Sequence, residues 1–250
     1  MLVAFLSDLA PCALVFLAFF IVAAALIGYF WRLNQRWNRR LSRTFELQRI
    51  GAQFQLPFFD LRNFKSDLPR YPAFERGVLP DTLNTFCGPW HGRSIQMGDF
   101  HYQIPVGGNN DDRHKDCYFS YCYVKIPEAL FADLLVRPES LRDRLLAAAG
   151  MPAIQFESAE FSKMYCVQSF DRKYAYDVIC PQMMEYLVQR PGYTVHLNFA
   201  GLLVTCGEDR LWRTEEFVPA ANFAVNFLER IPEFVWDAYK AADPEKQSPE

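Results

Sequence analysis

The stretch from Leu9 to Trp31 constrains this chain most, because it contains no charged residue between Asp8 and Arg32. A bilayer core needs roughly 20 apolar residues in a helix, and a lone segment in lipid must be helical to satisfy its backbone. The stretch therefore predicts a transmembrane helix over residues 9–31. A cleaved signal peptide and a buried core helix are the alternatives. The start of the chain lacks the basic residues, and the run exceeds the length, that are typical of a signal peptide.

The charges around this stretch are asymmetric. Five arginines follow it: Arg32, Arg36, Arg39, Arg40 and Arg43. Because Lys and Arg favour the cytoplasmic side, the pattern predicts a short extracytoplasmic N-terminus (1–8) and a cytoplasmic C-terminal part. Apolar residues recur every four positions over residues 32–51, which predicts a basic amphipathic juxtamembrane helix. Its arginines are interpreted as the topology signal and can also attract anionic lipid headgroups; the two roles are compatible.

Composition limits the function of the rest of the chain. The net charge of −3 and the pI near 5.9 give no nucleic-acid signature. The seven cysteines show no CxxC pair and no compact metal spacing, so we interpret them as packing residues. They are Cys12, Cys87, Cys117, Cys122, Cys166, Cys180 and Cys206. The sequence predicts no cofactor and no metal.

Residues 52–240 alternate between strand and helix patterns. The composition of residues 241–250 predicts a disordered tail. Predicted strands lie at 84–89, 93–104, 117–126, 154–156, 161–170, 193–199, 202–206 and 210–213. Predicted helices lie at 138–149, 172–179, 181–189, 214–230 and 232–239. Strands in hairpins with helices between them indicate an α+β fold. The predicted architecture is one N-terminal transmembrane helix followed by a domain of antiparallel sheet packed with helices.

Several residue groups are weighed as sites of chemistry. Oxygen donors cluster at Asn109, Asn110, Asp111, Asp112 and Asp116, but without EF-hand spacing. Among the four histidines (His91, His101, His114 and His196), His101 and His196 both fall on polar strand faces, so they are predicted to be able to approach each other. A nucleophilic Cys–His pair could combine His101 with Cys117 or Cys122, but no local sequence signature of a catalytic cysteine supports it. Glu157 and Glu160 are considered as paired carboxylates beside Asp171, without a visible cleft.

Residues 156–187 resemble a family of bacterial single-pass membrane proteins with a cytoplasmic domain of unknown function, the DUF3137 family. The matching positions form the signature Phe156, Glu157, Ser158, Glu160, Phe161, Val167, Asp171, Tyr174, Ala175, Ile179, Pro181, Met183, Met184 and Glu185. The resemblance extends loosely over residues 85–236. It implies an inner-membrane location and no activity. From the residues themselves, we expect Asp171 to cap a helix, and Met183, Met184 and Leu187 to be buried.

Three functions are compatible with these patterns. The first is a membrane-anchored interaction or scaffold domain, with the lipid bilayer and another membrane or cytoplasmic protein as partners. The second is a membrane-tethered small-molecule or lipid sensor. The third is a hydrolase with an unrecognised site among His101, Glu157, Glu160, Asp171 and His196. The absence of a catalytic motif favours the first.

Overall fold

The structure is a computed structural model that describes residues 2–59, 68–69, 71–106, 113–139, 153–207 and 209–240. The side chains of residues 2–20, 33 and 35–40 lie outside the described set. The chain divides into two compact units, residues 1–47 and 48–250.

The first unit is helical and belongs to α1, which runs without a break from Leu2 to Gln53 over 52 residues. Its described side chains begin at Ile21, and the uncharged stretch from there ends at Trp31, about half of the roughly 20 residues that a bilayer requires. The remainder of the predicted segment, residues 9–20, lies outside the described side chains. In the part of the chain that the structure describes, no helix combines the length and the apolar composition needed to cross a membrane.

This finding contradicts three predictions made from the apolar run: the transmembrane helix at 9–31, the single-pass architecture, and the inner-membrane location with an outside N-terminus. The fold-class prediction is therefore wrong in its N-terminal part. The juxtamembrane helix predicted at 32–51 is part of the single helix α1.

The second unit is built on a nine-stranded sheet in which every pair is antiparallel. The spatial order is β1-β2-β3-β4-β9-β8-β5-β7-β6. The strands are β1 (Phe58–Phe59), β2 (Val78–Trp90), β3 (Arg93–Pro105), β4 (His114–Lys125), β5 (Leu134–Pro138), β6 (Ala153–Ile154), β7 (Tyr165–Ser169), β8 (Thr194–Asn198) and β9 (Gly201–Thr205). Both edge strands have two residues, so β1 pairs with only Thr85 and Phe86 of the 13-residue strand β2.

The pairing register assigns side chains to two faces, because directly paired residues share a face. One face carries an aromatic cluster in which Tyr71 and Phe74, from the segment before β2, pack on the sheet. The cluster consists of Tyr71, Phe74, Phe100, Tyr102, Cys117, Phe119, Tyr121, Tyr123 and Leu203. We call this the aromatic face. It forms one half of the core.

The opposite face, the helical face, packs against the longest helix of this unit. The helices are α2 (Ala159–Met164), α3 (Arg172–Val178), α4 (Pro181–Val188), α5 (Phe217–Glu229) and α6 (Glu233–Ala238). The ring of Phe217 on α5 lies 5.4 Å from that of Phe86 on β2. Trp212 is buried nearby, with its backbone N–H donating to Ser120 Oγ at 2.9 Å.

Several predicted elements differ from the structure. Residues 161–170 were predicted as one strand, but residues 159–164 form α2 because Ser158 Oγ caps it by accepting from Phe161 N at 3.2 Å. No strand forms at 210–213, and a 3-10 turn (Thr214–Glu216) precedes α5 in place of a helix start at Thr214. The helix predicted at 138–149 and the tail at 241–250 lie mainly or wholly outside the described residues.

Candidate functional site

Three large apolar side chains are exposed at one end of the sheet, where β5 begins and β7 and β8 end. Phe170 is 81% exposed, Phe199 62% and Leu130 57%. Leu134 pairs with both Ser169 and Leu197, so Phe170 and Asn198 flank Asp133 on its two sides. With strands about 4.8 Å apart, these flanking positions are roughly 10 Å from each other. We call Leu130, Asp133, Phe170 and Phe199 the aromatic end.

Phe199 is exposed because of the turn between β8 and β9. Asn198 is buried, and its Oδ1 accepts from Ala200 N at 2.9 Å. Tyr123 OH donates to Ala200 O at 2.6 Å, which ties the turn to β4. Gly201 completes the turn at φ +144°, where a Cβ would lie 2.3 Å from Val124 O. The strand predicted at 193–199 includes Phe199, but the observed strand ends at Asn198, so Phe199 lies in the turn.

Phe170 is exposed because both of its neighbours are held by hydrogen bonds. Ser169 Oγ donates to Asp133 O at 2.6 Å and accepts from Asp171 N at 3.3 Å. Asp171 Oδ1 then accepts from Tyr174 N at 2.9 Å as the N-cap of α3, which confirms the predicted cap. These hydrogen bonds hold the backbone on both sides of the exposed Phe170 side chain.

A histidine–carboxylate pair lies beside these side chains. His196 Nε2 is 3.3 Å from Asp133 Oδ1, and the edge of the Tyr71 ring meets the imidazole with centroids 4.9 Å apart. Burial lowers the pKa of His196, and Asp133 opposes that shift through its hydrogen bond and its charge. At neutral pH the imidazole is therefore neutral, with one nitrogen available to donate to Asp133.

Two buried phenol groups border Asp133. The hydroxyls of Tyr71 and Tyr174 are buried and have no hydrogen-bond partner among the described residues. Burial raises the pKa of both phenols, and the charge of Asp133 adds to the shift. Tyr174 packs 4.8 Å from the ring of Tyr239, whose hydroxyl donates to Asp171 Oδ2 at 3.3 Å.

This arrangement does not assemble a nucleophile. Of the hydroxyls near Asp133, that of Ser169 is engaged with two backbone groups. Those of Tyr71 and Tyr174 belong to buried phenols whose pKa is raised by burial. A histidine–carboxylate pair needs a group to activate before it acts as a general base. The chemistry available here is hydrogen bonding and apolar contact, which are the ingredients of a docking surface.

The structure separates the two histidines that were expected to approach each other. His196 pairs with Leu203, which pairs with Tyr123, so it lies on the aromatic face. His101 pairs with Tyr118 and therefore lies on the helical face. His101 Nε2 is 2.9 Å from Asp116 Oδ1. The prediction is wrong because the two residues project from opposite sides of one sheet.

The considered Cys–His pair does not form either. Cys117 is opposite Tyr102 on the aromatic face, whereas His101 is on the other. Cys122 is fully buried on the helical face, opposite Met97, and burial raises the pKa of its thiol well above the ordinary value. Cys87, Cys117, Cys122, Cys166, Cys180 and Cys206 are thiols, and the side chain of Cys12 lies outside the described set.

The acidic loop is largely outside the described residues, which include neither Asn109 and Asn110 nor Asp111 and Asp112. Asp116 accepts hydrogen bonds from His101 and, at 3.0 Å, from Gln103 Nε2. Within the described ranges, no three His, Cys, Asp or Glu side chains converge so as to hold a metal ion.

A buried carboxylate, Asp99, has a structural environment. Ser120 Oγ donates to Asp99 Oδ1 at 2.6 Å, and Asn84 Nδ2 donates to Oδ2 at 3.2 Å. Because Ser120 Oγ also accepts from Trp212 N, the group links β2, β3 and β4 to the segment before α5. Its hydrogen bonds stabilise the core.

The family-like signature lies around α2, α3 and α4. Phe161, Tyr174 and Met183 are buried, and Phe156 packs its ring 5.4 Å from that of Phe161. Pro181 begins α4 at its first position. Glu157 and Glu160 lie beside the Ser158 cap, with Glu160 in the first turn of α2. Met184 is half-buried and Glu185 is exposed, so the predicted burial of Met184 is only partial.

The five arginines after the apolar run belong to α1. Arg32 is exposed and Arg43 is half-buried. The side chains of Arg36, Arg39 and Arg40 lie outside the described set.

The residues of the aromatic end were missed by sequence reasoning. Asp133 and Phe170 stand in no motif, and Tyr71 lies in a stretch without periodicity. The sequence signal is a polar residue directly before each phenylalanine, Ser169 before Phe170 and Asn198 before Phe199. Polar flanks that bond to the backbone typically mark a turn.

Comparisons with known proteins show a likeness in fold. No family model and no curated protein matches the chain. The chain is similar to the crystal structure of the mycobacterial trehalose monomycolate transport factor A, TtfA, with a TM-score of 0.50 and 10% sequence identity over 76% of this chain and 96% of that chain. At this identity, the likeness concerns the fold alone. The resemblance to the DUF3137 family stays a prediction.

Proposed function

We propose that this chain is an interaction domain that binds a partner protein at the aromatic end. The observation that carries this proposal is the exposure of Phe170, Phe199 and Leu130 at one end of the sheet. Exposed apolar surface typically marks interaction sites, and aromatic residues are enriched in the core of interfaces.

The rigidity of this end supports the same function. Hydrogen bonds fix the backbone on both sides of Phe170 and through the turn that carries Phe199. A preorganised surface loses less conformational entropy on binding. Asp133 and the neutral His196 beside the aromatic rings supply the polar groups that give such a surface its specificity.

The likeness to TtfA is compatible with this proposal. That protein is named a transport factor. A sensor for a lipid or another small molecule is the second candidate, favoured by the substrate in that protein's name. We rank it second because the exposed aromatic side chains form an outward surface, whereas lipid-binding sites enclose the ligand.

Site-specific photo-crosslinking tests the proposal. A photoreactive phenylalanine analogue is placed at position 170 in the full chain, and a matched control is placed at position 79. Leu79 is 70% exposed and adjoins the Val78–Gln103 pair, at the other end of the sheet. We expect one protein adduct of defined mass from position 170, its loss in the Phe199→Ser variant, and no such adduct from position 79.

An adduct of twice the chain mass would identify a second copy as the partner. Equal adducts from both positions, or an adduct at 170 that Phe199→Ser leaves unchanged, would refute an interface at the aromatic end. Saturable binding of a lipid that competes with the protein adduct would favour the sensor.

A further inference from the structure

Two arginines stack on a single tyrosine ring. Arg190 follows α4, and Arg230 follows α5. Their guanidinium carbons lie 4.5 Å and 4.2 Å from the centroid of the Tyr186 ring. Because both distances are measured to one point, the two cations are at most about 9 Å apart, held by cation–π contacts.

Tyr186 is a rigid support for the two arginines. Its hydroxyl donates to Phe223 O at 3.1 Å, and its ring stacks on that of Phe223 with centroids 5.4 Å apart. The side chain is almost fully buried. Both guanidinium groups are therefore positioned against a ring that has little freedom to move.

Within the described ranges, ion pairing does not balance the charge of this arginine pair. Among the described residues, neither Arg190 nor Arg230 forms an ion pair, in contrast to Arg93 with Glu128 and Arg210 with Glu216. Burial raises the pKa of Tyr186, the two arginines oppose this shift, and Glu229 adds to it.

Most of the N–H groups of the pair also lack an acceptor in the described chain. Arg230 donates from Nη1 to Asn226 O at 2.8 Å, and Arg190 donates to Gln189 Oε1 at a long 3.5 Å. A guanidinium has five N–H donors. Arg230 also lines an open groove of about 500 Å³, whose charged lining consists of Arg93 and Arg230 together with Glu229 and Glu233. The Arg190 side of Arg230 therefore differs from the groove side in carrying no carboxylate among the groups that act on Tyr186 other than Glu229.

We propose that Arg190 and Arg230 bind a phosphate or phosphate-ester oxyanion. The planar guanidinium fork matches two oxygens of a phosphate, and two cations held close together on one ring repel each other until an anion lies between them. The same chemistry is offered by a soluble phosphate ester and by a phospholipid headgroup. This inference is independent of the aromatic end, because it concerns side chains on α4 and α5.

Calorimetric titration of the full chain with glycerol 1-phosphate at low ionic strength tests the site. We expect saturable binding of one molecule per chain, weakened at least about tenfold in the Arg190→Gln, Arg230→Gln double variant, because charge-assisted bidentate bonds are the strong ones. Arg172→Gln is the matched control. Arg172 also stacks on a tyrosine, 5.6 Å from the Tyr176 ring, but without a second arginine, and its loss should leave binding unchanged.

Sedimentation with lipid vesicles distinguishes the two sources of phosphate. Binding to vesicles that contain phosphatidylglycerol but not to pure phosphatidylcholine, abolished by the double variant, assigns a lipid headgroup. Binding of glycerol 1-phosphate without vesicle binding assigns a soluble ester. If the glutamine variant fails to fold, Arg190→Lys with Arg230→Lys keeps the charge and loses the fork, and should still bind more weakly than the wild type. No saturable binding in either assay, or equal weakening by Arg172→Gln, would overturn the proposal.

Discussion

Replacing Tyr71 with phenylalanine should stabilise this protein, although most substitutions in a core destabilise it. The Tyr71 hydroxyl is buried, and it has no hydrogen-bond partner among the described residues. Leaving a buried polar group unsatisfied costs about 1–3 kcal/mol. Phenylalanine keeps the ring contacts with Phe74 and His196 and removes only the oxygen.

From that cost we expect Tyr71→Phe to raise the free energy of unfolding by about 1 kcal/mol, taking the low end of the range because relaxation absorbs part of it. For a domain of this size, that gain raises the melting temperature by roughly 2–4 °C. Urea unfolding followed by tryptophan fluorescence measures the free energy, provided that the slope with urea stays the same in both proteins.

Tyr121→Phe is the matched control. Tyr121 is equally buried on the same face, but its hydroxyl accepts from Gln96 Nε2 at 3.0 Å. Removing this oxygen leaves a buried amide without its acceptor, so we expect a loss of about 1–2 kcal/mol. The two variants should therefore shift in opposite directions. A Tyr71→Phe variant that loses 1 kcal/mol or more would refute the reasoning, because it would mean that the hydroxyl has a partner.

Three further outcomes are expected. His196→Gln should flatten the dependence of stability on pH. Burial lowers the pKa of His196 in the folded state, so the unfolded chain binds the proton first and the wild type loses stability as pH falls below about 6.5. An unchanged pH profile of the free energy of unfolding in urea would count against this role. Asp171→Ala should cost about 1 kcal/mol because the first turn of α3 loses the cap on Tyr174 N, and an unchanged urea midpoint would contradict it. Gly201→Ala should lower the free energy of unfolding by about 3 kcal/mol or prevent folding, because the new Cβ would lie 2.3 Å from Val124 O and the φ angle at position 201 is unfavourable for residues other than glycine. A melting temperature within about 2 °C of the wild type would contradict this geometry.

Local signals predicted much of the helical part of the second unit. Asp171 before a helix and Pro181 at the start of the next one gave boundaries that the structure confirms within one residue. These signals work because a cap and a proline act on backbone groups within one turn. The alternating pattern over 93–104 likewise corresponds to β3 (Arg93–Pro105).

Sequence reasoning failed where two patterns competed. Phe161 to Phe170 is rich in apolar and aromatic residues, which favours a strand, yet the Ser158 cap starts a helical turn over its first part. The strand β5 was missed, since five residues with a central Val136 give too short a pattern. The apolar run at 9–31 predicted a membrane helix from its length and its lack of charge, and the described chain contains no helix that meets the requirement.

The sequence by itself determined the helix starts, the main strands and the antiparallel character of the sheet, because these depend on neighbours a few positions apart. Only the tertiary structure decided which side chains meet. The register of β4, β9 and β8 places His196 and His101 on opposite faces. The order of β8, β5 and β7 brings Phe199, Asp133 and Phe170 to one end although 66 residues separate Asp133 from Phe199. Such contacts depend on pairing between distant segments, and no local pattern in the chain encodes that pairing.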